Sequence, residues 1–182
     1  MKSLHEIYKN YSMNDCGGDK GTQHSYIDIY EQIFSSKPRS NINLFEIGIY
    51  QGHSLMMWSE YFENSNIVGA DIDISNIKFN FNSNVKIIEA NIVNNNLLNT
   101  FLSSYGGFDY IIDDGSHKLH DQLYAYSSLS KFLKDDGVYI IEDIENINES
   151  KEYFKNLSSN VEIFDLRNVK NRYDDVLIAI RK

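Results

Sequence analysis

The sequence predicts an α/β fold, a mostly parallel sheet with helices on both faces, and three observations predict it. Short apolar runs with strand character recur along the 182 residues. Segments that can be helical separate the first five of them, the alternation that builds βαβ units with right-handed crossovers. Two runs break off in adjacent acids, Ile111-Ile112-Asp113-Asp114-Gly115-Ser116-His117 and Tyr139-Ile140-Ile141-Glu142-Asp143. Strand ends of one parallel sheet line the crevice where ligands bind. Asp113, Asp114, Glu142 and Asp143 are therefore expected to converge with His117 beside them, as a metal site with a base next to it.

The elements follow in chain order. Tyr26, Ile27, Ile29, Tyr30, Ile33 and Phe34 form the apolar face of a helix that packs on the sheet. The stretch 16–24 before it is polar, glycine-rich and aperiodic, and a plain connecting loop describes it as well as a functional one. Strands are predicted at 42–47, 67–70, 85–89, 110–112, 138–141, 161–166 and 176–180. Most are continuously apolar, as strands buried on both faces are. Helices are predicted at 54–62, 95–105, 120–133 and 149–157, with a short piece near 76–79. Only a loop is expected between the last two strands, which makes them an antiparallel pair at one side of the sheet. The whole chain, 1–182, reads as a single domain with 1–40 as a helical and loop cap.

Composition narrows the function classes. The net charge of -9 argues against nucleic acid as partner, because nonspecific affinity for phosphate backbones needs clustered Lys and Arg. A small-molecule or glycan acceptor fits better. No run approaches the roughly 20 apolar residues of a membrane span, and the N-terminus has no apolar stretch of signal-peptide type, so a cytoplasmic location is expected. The lone Cys16 can form no internal disulfide and no thiolate metal site by itself. Oxygen and imidazole ligands remain, which favour Mg²⁺, Ca²⁺ or Mn²⁺. Asn94-Asn95-Asn96 reads as composition bias in a loop. The 13 Tyr and 10 Phe suit a core and an interface, and a homodimer fits that content.

The first strand ends in Glu46-Ile47-Gly48-Ile49-Tyr50-Gln51-Gly52-His53-Ser54 and enters a helix. Gly48 and Gly52 let the backbone turn tightly and approach a ligand, and the helix start at Ser54 presents unpaired N–H groups. The dinucleotide fingerprint and the phosphate loop are both absent. The second strand ends in Asp71, where a carboxylate can bind both hydroxyls of a ribose, so the ligand should be a nucleoside. After the third strand, Asn91 can reach an adenine edge and Ile92 can pack on the ring. A turn asparagine before a core isoleucine explains those two equally well.

With Glu46-x-Gly48-x-x-x-Gly52, Asp71, Asp113-Asp114 and the closing antiparallel pair, the chain resembles the class I S-adenosylmethionine-dependent methyltransferases. The resemblance implies their Rossmann-like fold, a seven-stranded sheet whose last strand is inserted antiparallel. Asp19-Lys20-Gly21-Thr22-x-His24-x-Tyr26, Asp113-Asp114-Gly115-Ser116-His117 and Ile141-Glu142-Asp143 are similar to the metal-dependent sugar O-methyltransferases of macrolide biosynthesis. Rhamnosyl O-methyltransferases and the cephalosporin hydroxylase-like proteins share the pattern. The resemblance implies that Asp114, Glu142 and Asp143 hold a divalent metal, Mg²⁺ first, with His117 as general base. It also implies that S-adenosylmethionine is held by Glu46 through Gly52, Ser54, Asp71, Asn91, Ile92 and Asp113, with Thr22 covering it. Two departures stand out. The macrolide enzymes carry a separate N-terminal domain not seen here, and Asn91 stands where an acid is usual.

The chemistry agrees with those roles. Methyl transfer to an alcohol needs the acceptor oxygen held in line and its proton removed. A metal on three carboxylates can lower the hydroxyl's pKa, and an imidazole titrating near neutrality can take the proton. His53, on the first turn of its helix, is placed near the cofactor or on the surface, and His120 in a capping or supporting role. Two other classes remain open: a hydrolase activating water on the same acids, and a catalytically silent nucleoside-binding partner.

Overall fold

The structure, a computed structural model, describes residues 2–12, 18–92 and 96–182. Cys16 and the Asn94-Asn95 pair lie outside them. The chain runs α1 (Leu4–Ser12), α2 (Ile27–Phe34), β1 (Asn43–Ile47), α3 (His53–Tyr61), β2 (Asn66–Asp71), β3 (Val85–Glu89) and α4 (Asn96–Ser103). It continues β4 (Phe108–Asp113), α5 (Leu119–Leu129), a 3₁₀ turn Ser130–Phe132, β5 (Leu133–Ile141), α6 (Ile147–Leu157), β6 (Val161–Asp165), α7 (Arg167–Lys170) and β7 (Val176–Arg181).

All seven predicted strands form one sheet in the order β3-β2-β1-β4-β5-β7-β6. The first five are parallel, and β7 runs antiparallel between β5 and β6. This is the Rossmann-like class I arrangement. The order reverses between β1 and β4, so a crevice opens at their carboxyl ends. Register brings those ends level: Ile47 pairs with Ala70 and with Asp113, and Asp113 with Ile141. The ladder runs one step further, through Asp114 N–H to Ile47 O at 2.9 Å and Glu142 N–H to Asp113 O at 3.0 Å.

Strand alternation sorts the side chains. Leu44, Tyr110, Ile112, Val138 and Ile140 face one core with α1, α2 and α3, where Tyr30, Phe34 and Trp58 are fully buried. Phe45, Ile111, Tyr139 and Ile141 face the other, with α4, α5 and α6. The same parity directs Glu46, Asp114 and Glu142 toward the α2 side.

Two local features differ from expectation. No helix forms at 76–79: Asp73 Oδ1 accepts from Ser75 N–H at 2.9 Å, the local bond with which Asp, Asn and Ser compete against helix formation. The segment is held by its apolar residues, with Phe79 edge-on to His53 and packed on Phe81. The short α7 occupies the connection expected to be a bare loop. The helical part of the 1–40 cap includes α1, for which the sequence reading sets no bounds and whose Leu4, Ile7 and Tyr8 carry helical spacing and are buried. Among the described residues no helix is long and apolar enough to cross a membrane.

At Gly48 the turn after β1 passes directly against the end of β4. Its φ is +79° and a Cβ there would lie 1.9 Å from the carbonyl oxygen of Asp114. Gly48→Ala is expected to cost more than about 2 kcal/mol from strain and forced separation of β1 and β4. Thermal unfolding should show a Tm lower by roughly 4 °C or more, and an unchanged Tm would mean that the two strand ends separate freely.

Candidate active site

The acids at the three strand ends do not form one cluster but two, joined at Asp114. In the inner one, the ammonium of Lys20 lies 2.6 Å from Glu142 Oε1, 2.7 Å from Asp114 Oδ2 and 3.3 Å from Glu46 Oε1. Lys20 is 2% exposed. Tyr30 donates a short hydrogen bond to the same Glu142 oxygen, and Trp58 Nε1 donates to Glu46 Oε2 at 2.9 Å. Burial alone would discharge Lys20, but the surrounding carboxylates outweigh it and hold the ammonium well above its usual pKa. Burial also pushes the Asp114 carboxyl up, and here Lys20 and His117 prevail and keep it below the ordinary range.

The outer cluster is Asp114, His117 and Asp143, each offering one atom within 4.8 Å of the others. His117 Nε2 is 3.2 Å from Asp114 Oδ1, and its Nδ1 is 3.6 Å from Asp143 Oδ2. Both His117 and Asp143 sit at positive φ, +62° and +54°. Such backbone is uncommon outside glycine and costs on the order of 1–3 kcal/mol. At Asp143 it is accompanied by a side chain on the α2 side, where Tyr26 donates to Oδ1 at 2.7 Å. Burial raises the Asp143 carboxyl to about 7, helped by the negative charge of Asp114. His117 is pushed up to about 9, first by its hydrogen bond to Asp114 and against its partial burial.

A cavity of about 670 Å³ opens over these strand ends. Of the residues singled out from sequence, Gly48, Ser54, Asp71, Asn91, Ile92, Asp113, Asp114 and His117 line it. Asp71 is partly occupied by its own chain, since Oδ2 accepts from Ile49 and Tyr50 N–H at 2.9 Å each. It thereby pins the glycine turn. Asp113 is buried and raised to about 7 by that burial; Oδ1 accepts from Gly115 N–H, while Oδ2 has no partner.

Five others stand off the cavity wall. Glu46 is wholly buried beneath it, between Lys20 and Trp58. Gly52, at φ +87°, turns the chain into α3 against Phe81. Thr22 is exposed and its hydroxyl donates back to Gly18 O at 3.0 Å. Glu142 and Asp143 lie behind Asp114 and His117. His53 is buried edge-on to Phe79 and lines the cavity, whereas His120 is exposed and pairs with Asp121 at 2.9 Å. His120 does not cap α5, whose N-cap position is Lys118.

In the sequence Tyr26 and Tyr30 count as apolar positions of a helix face, and Lys20 and His24 only as members of a motif, none of the four with a role at the acids. Asp19-Lys20-Gly21 lies in a polar, aperiodic stretch, and only the strand ends 94 and 122 residues away give Lys20 its partners. The segment is fixed by contacts of its own. Ser25 bonds both oxygens of Asp175, and Lys170 donates to the carbonyls of Gly21 and His24. His24 stacks on Tyr26 with its Nδ1 3.1 Å from Asp143 Oδ1. The outer cluster's donors are carboxylates and an imidazole beside the cavity, a set that fits a hard divalent cation.

Comparison with known proteins shows the family and the fold. A family model described as a methyltransferase domain matches residues 45–144, which include both acidic strand ends and the glycine turn. The chain belongs to that family. An 8-demethyl-8-α-L-rhamnosyl tetracenomycin-C 2'-O-methyltransferase from Streptomyces olivaceus is 31% identical over 71% of this chain and 35% of its own length. Mycinamicin VI 2''-O-methyltransferase from Micromonospora griseorubida is 28% identical over 68% of the chain and 32% of its own. The chain thus spans about a third of the length of these relatives. Among solved structures, the MycE methyltransferase of the mycinamycin pathway in complex with Mg and SAH superimposes with TM-score 0.74. It is 22% identical, covering 99% of this chain and 55% of its own. The Bacillus cereus O-methyltransferase in complex with SAH gives 0.57 at 17% identity, over 99% and 90%. At these identities the structures speak for the fold.

The raised His117 sets a pH dependence for the metal-free protein. Its folded pKa of about 9 exceeds the unfolded value of about 6.5. The folded state therefore binds more protons between those values, and the contribution is complete below about 6.5 and lost as pH rises through 9. Asp113 and Asp143, near 7, add a fall of the same sign only up to that point. With chelator present, Tm should decline between about pH 7 and 9 in the wild type and stay nearly level in His117→Asn. A level wild-type curve would contradict the His117–Asp114 bond.

Proposed function

We propose that the chain is an S-adenosylmethionine-dependent O-methyltransferase that uses a divalent metal, Mg²⁺ first, and methylates a sugar hydroxyl. The acceptor class is a nucleotide sugar, a glycoside or a polysaccharide precursor. One observation carries the reading: the cavity lined by Gly48, Asp71, Asn91 and Ile92 is also lined by Asp114 and His117 of the outer cluster. A nucleoside-type cradle and a cation-type cluster in one cavity suit a group transfer from a nucleoside to a metal-held oxygen. The relatives, named as O-methyltransferases of rhamnosyl and mycinamicin substrates, support the same class.

Gly48, Gly52, Ser54, Asp71, Asn91, Ile92 and Asp113 would hold the cofactor, with Glu46 supporting the turn from below and Thr22 on the neighbouring N-terminal segment. Asp114, Glu142 and Asp143 would hold the metal, which supplies the Lewis acidity that eases loss of the acceptor proton. Asp114 is the member shared by the two clusters, and Glu142 stands on the inner side, where its Oε1 already serves Lys20 and Tyr30. His117 is the proton acceptor, one residue beyond Ser116 on the cavity wall. Its hydrogen bond to Asp114 raises its pKa to about 9, and a cation held by Asp114 and Asp143 would offset that charge and favour the neutral imidazole. The cavity would hold donor and acceptor in line, the positioning on which an in-line displacement depends.

Calorimetric titration with S-adenosylmethionine, with and without Mg²⁺, is expected to show binding, and an acceptor screen of nucleotide sugars is expected to show turnover that chelator abolishes. His117→Ala should lower kcat by about 10²–10⁴ while leaving S-adenosylmethionine affinity within a few-fold. Absence of cofactor binding under both conditions would sink the proposal.

A further inference from the structure

The inner cluster holds a cation already. Oxygens of Glu46, Asp114 and Glu142 lie within 4.8 Å of one another, as the ligands of a bound ion would, and the Lys20 ammonium stands within 3.3 Å of all three. Lys20 binds Asp114 through Oδ2 and Glu142 through Oε1, while Asp114 Oδ1 points the other way, to His117. Asp114 is thus divided between an inner and an outer cation position.

Moving Lys20 out would be costly. Its own carbonyl accepts from Tyr26 N–H at 2.9 Å, and Asp19 O accepts from the N–H groups of Thr22, Gln23 and His24. Ser25 and Lys170 tie the same segment to the far end of the chain. Withdrawal would also leave three buried carboxylates without their counter-charge, and removing one partner of a buried ion pair is strongly destabilising.

We infer that Lys20 is a positioning residue of the metal centre, a permanent occupant of the inner position that orients Asp114 and Glu142, so that a divalent ion is received at the outer position without displacing the N-terminal segment. The inference rests on the metal-dependent reading above. Lys20 does for these carboxylates what outer hydrogen-bond partners do for metal ligands generally. It differs in being charged, and that makes its effect separable. Coulomb's law says that deleting a neighbouring positive charge should tighten binding of a divalent cation. Deleting a partner that sets the ligands should loosen it.

Mn²⁺ titration of the metal-free chain, followed by the resonance of free Mn²⁺, decides between the two. The wild type is expected to bind, and Lys20→Met to bind about 10- to 100-fold more weakly. Unchanged or tighter binding by Lys20→Met overturns the inference and leaves the metal reading standing, whereas failure of the wild type to bind Mn²⁺ overturns both. Should Lys20→Met fail to fold, the wild type still provides a test. Its side-chain ammonium signal, assigned by comparison with Lys20→Arg, is expected to stay resolved and slow to exchange when Mg²⁺ is added. Merging of that signal with those of exposed lysines would mean that the metal evicts Lys20, and would overturn the inference.

Discussion

One buried ammonium surrounded by carboxylates organises this end of the molecule. Glu46, Asp114 and Glu142 close β1, β4 and β5, and strand parity turns them to the same face. Three acids so placed repel one another, and burial adds to the penalty on their charged forms. Lys20 resolves both problems at once. Because it comes from outside the sheet, it also fixes where the N-terminal segment lies, and through Tyr26 and His24 where Asp143 lies.

The division of the acids into an inner and an outer group follows from that packing. Glu46 and Glu142 face Tyr30 and Trp58, in the core under the sheet end. Asp114 and His117 face the cavity. The shared residue, Asp114, has one oxygen in each environment, so a change on either side is felt on the other. The positive φ of His117 and Asp143 belongs to the same design, since both residues depart from ordinary strand backbone where their side chains must meet.

The sheet was legible because its strands are continuous apolar runs, and their ends were legible because Asp113-Asp114 and Glu142-Asp143 interrupt such runs abruptly. The glycine turn could be read from Gly48 and Gly52, whose positive φ suits glycine, but not what they approach: a Cβ at Gly48 would meet Asp114 O and one at Gly52 the Phe81 ring. What could not be read is what depends on distant chain. Lys20 looks like a surface lysine until β4 and β5 reach it, and Glu46 looks like a ligand-facing acid until Trp58 covers it. Segment 76–79 misled in the opposite sense, because Ile77, Phe79 and Phe81 pack as a loop without helical backbone.

The bonds from Ser25 to Asp175 join residues 150 apart in sequence. Closing so long a loop is entropically dearer than pairing neighbouring strands, and contacts of that kind slow folding. The layer that seats Lys20 should therefore assemble after the parallel sheet, and until it does the three acids face water. On that order of assembly the carboxylates would stay hydrated until their counter-ion, carried on the same chain, arrives to exclude the solvent.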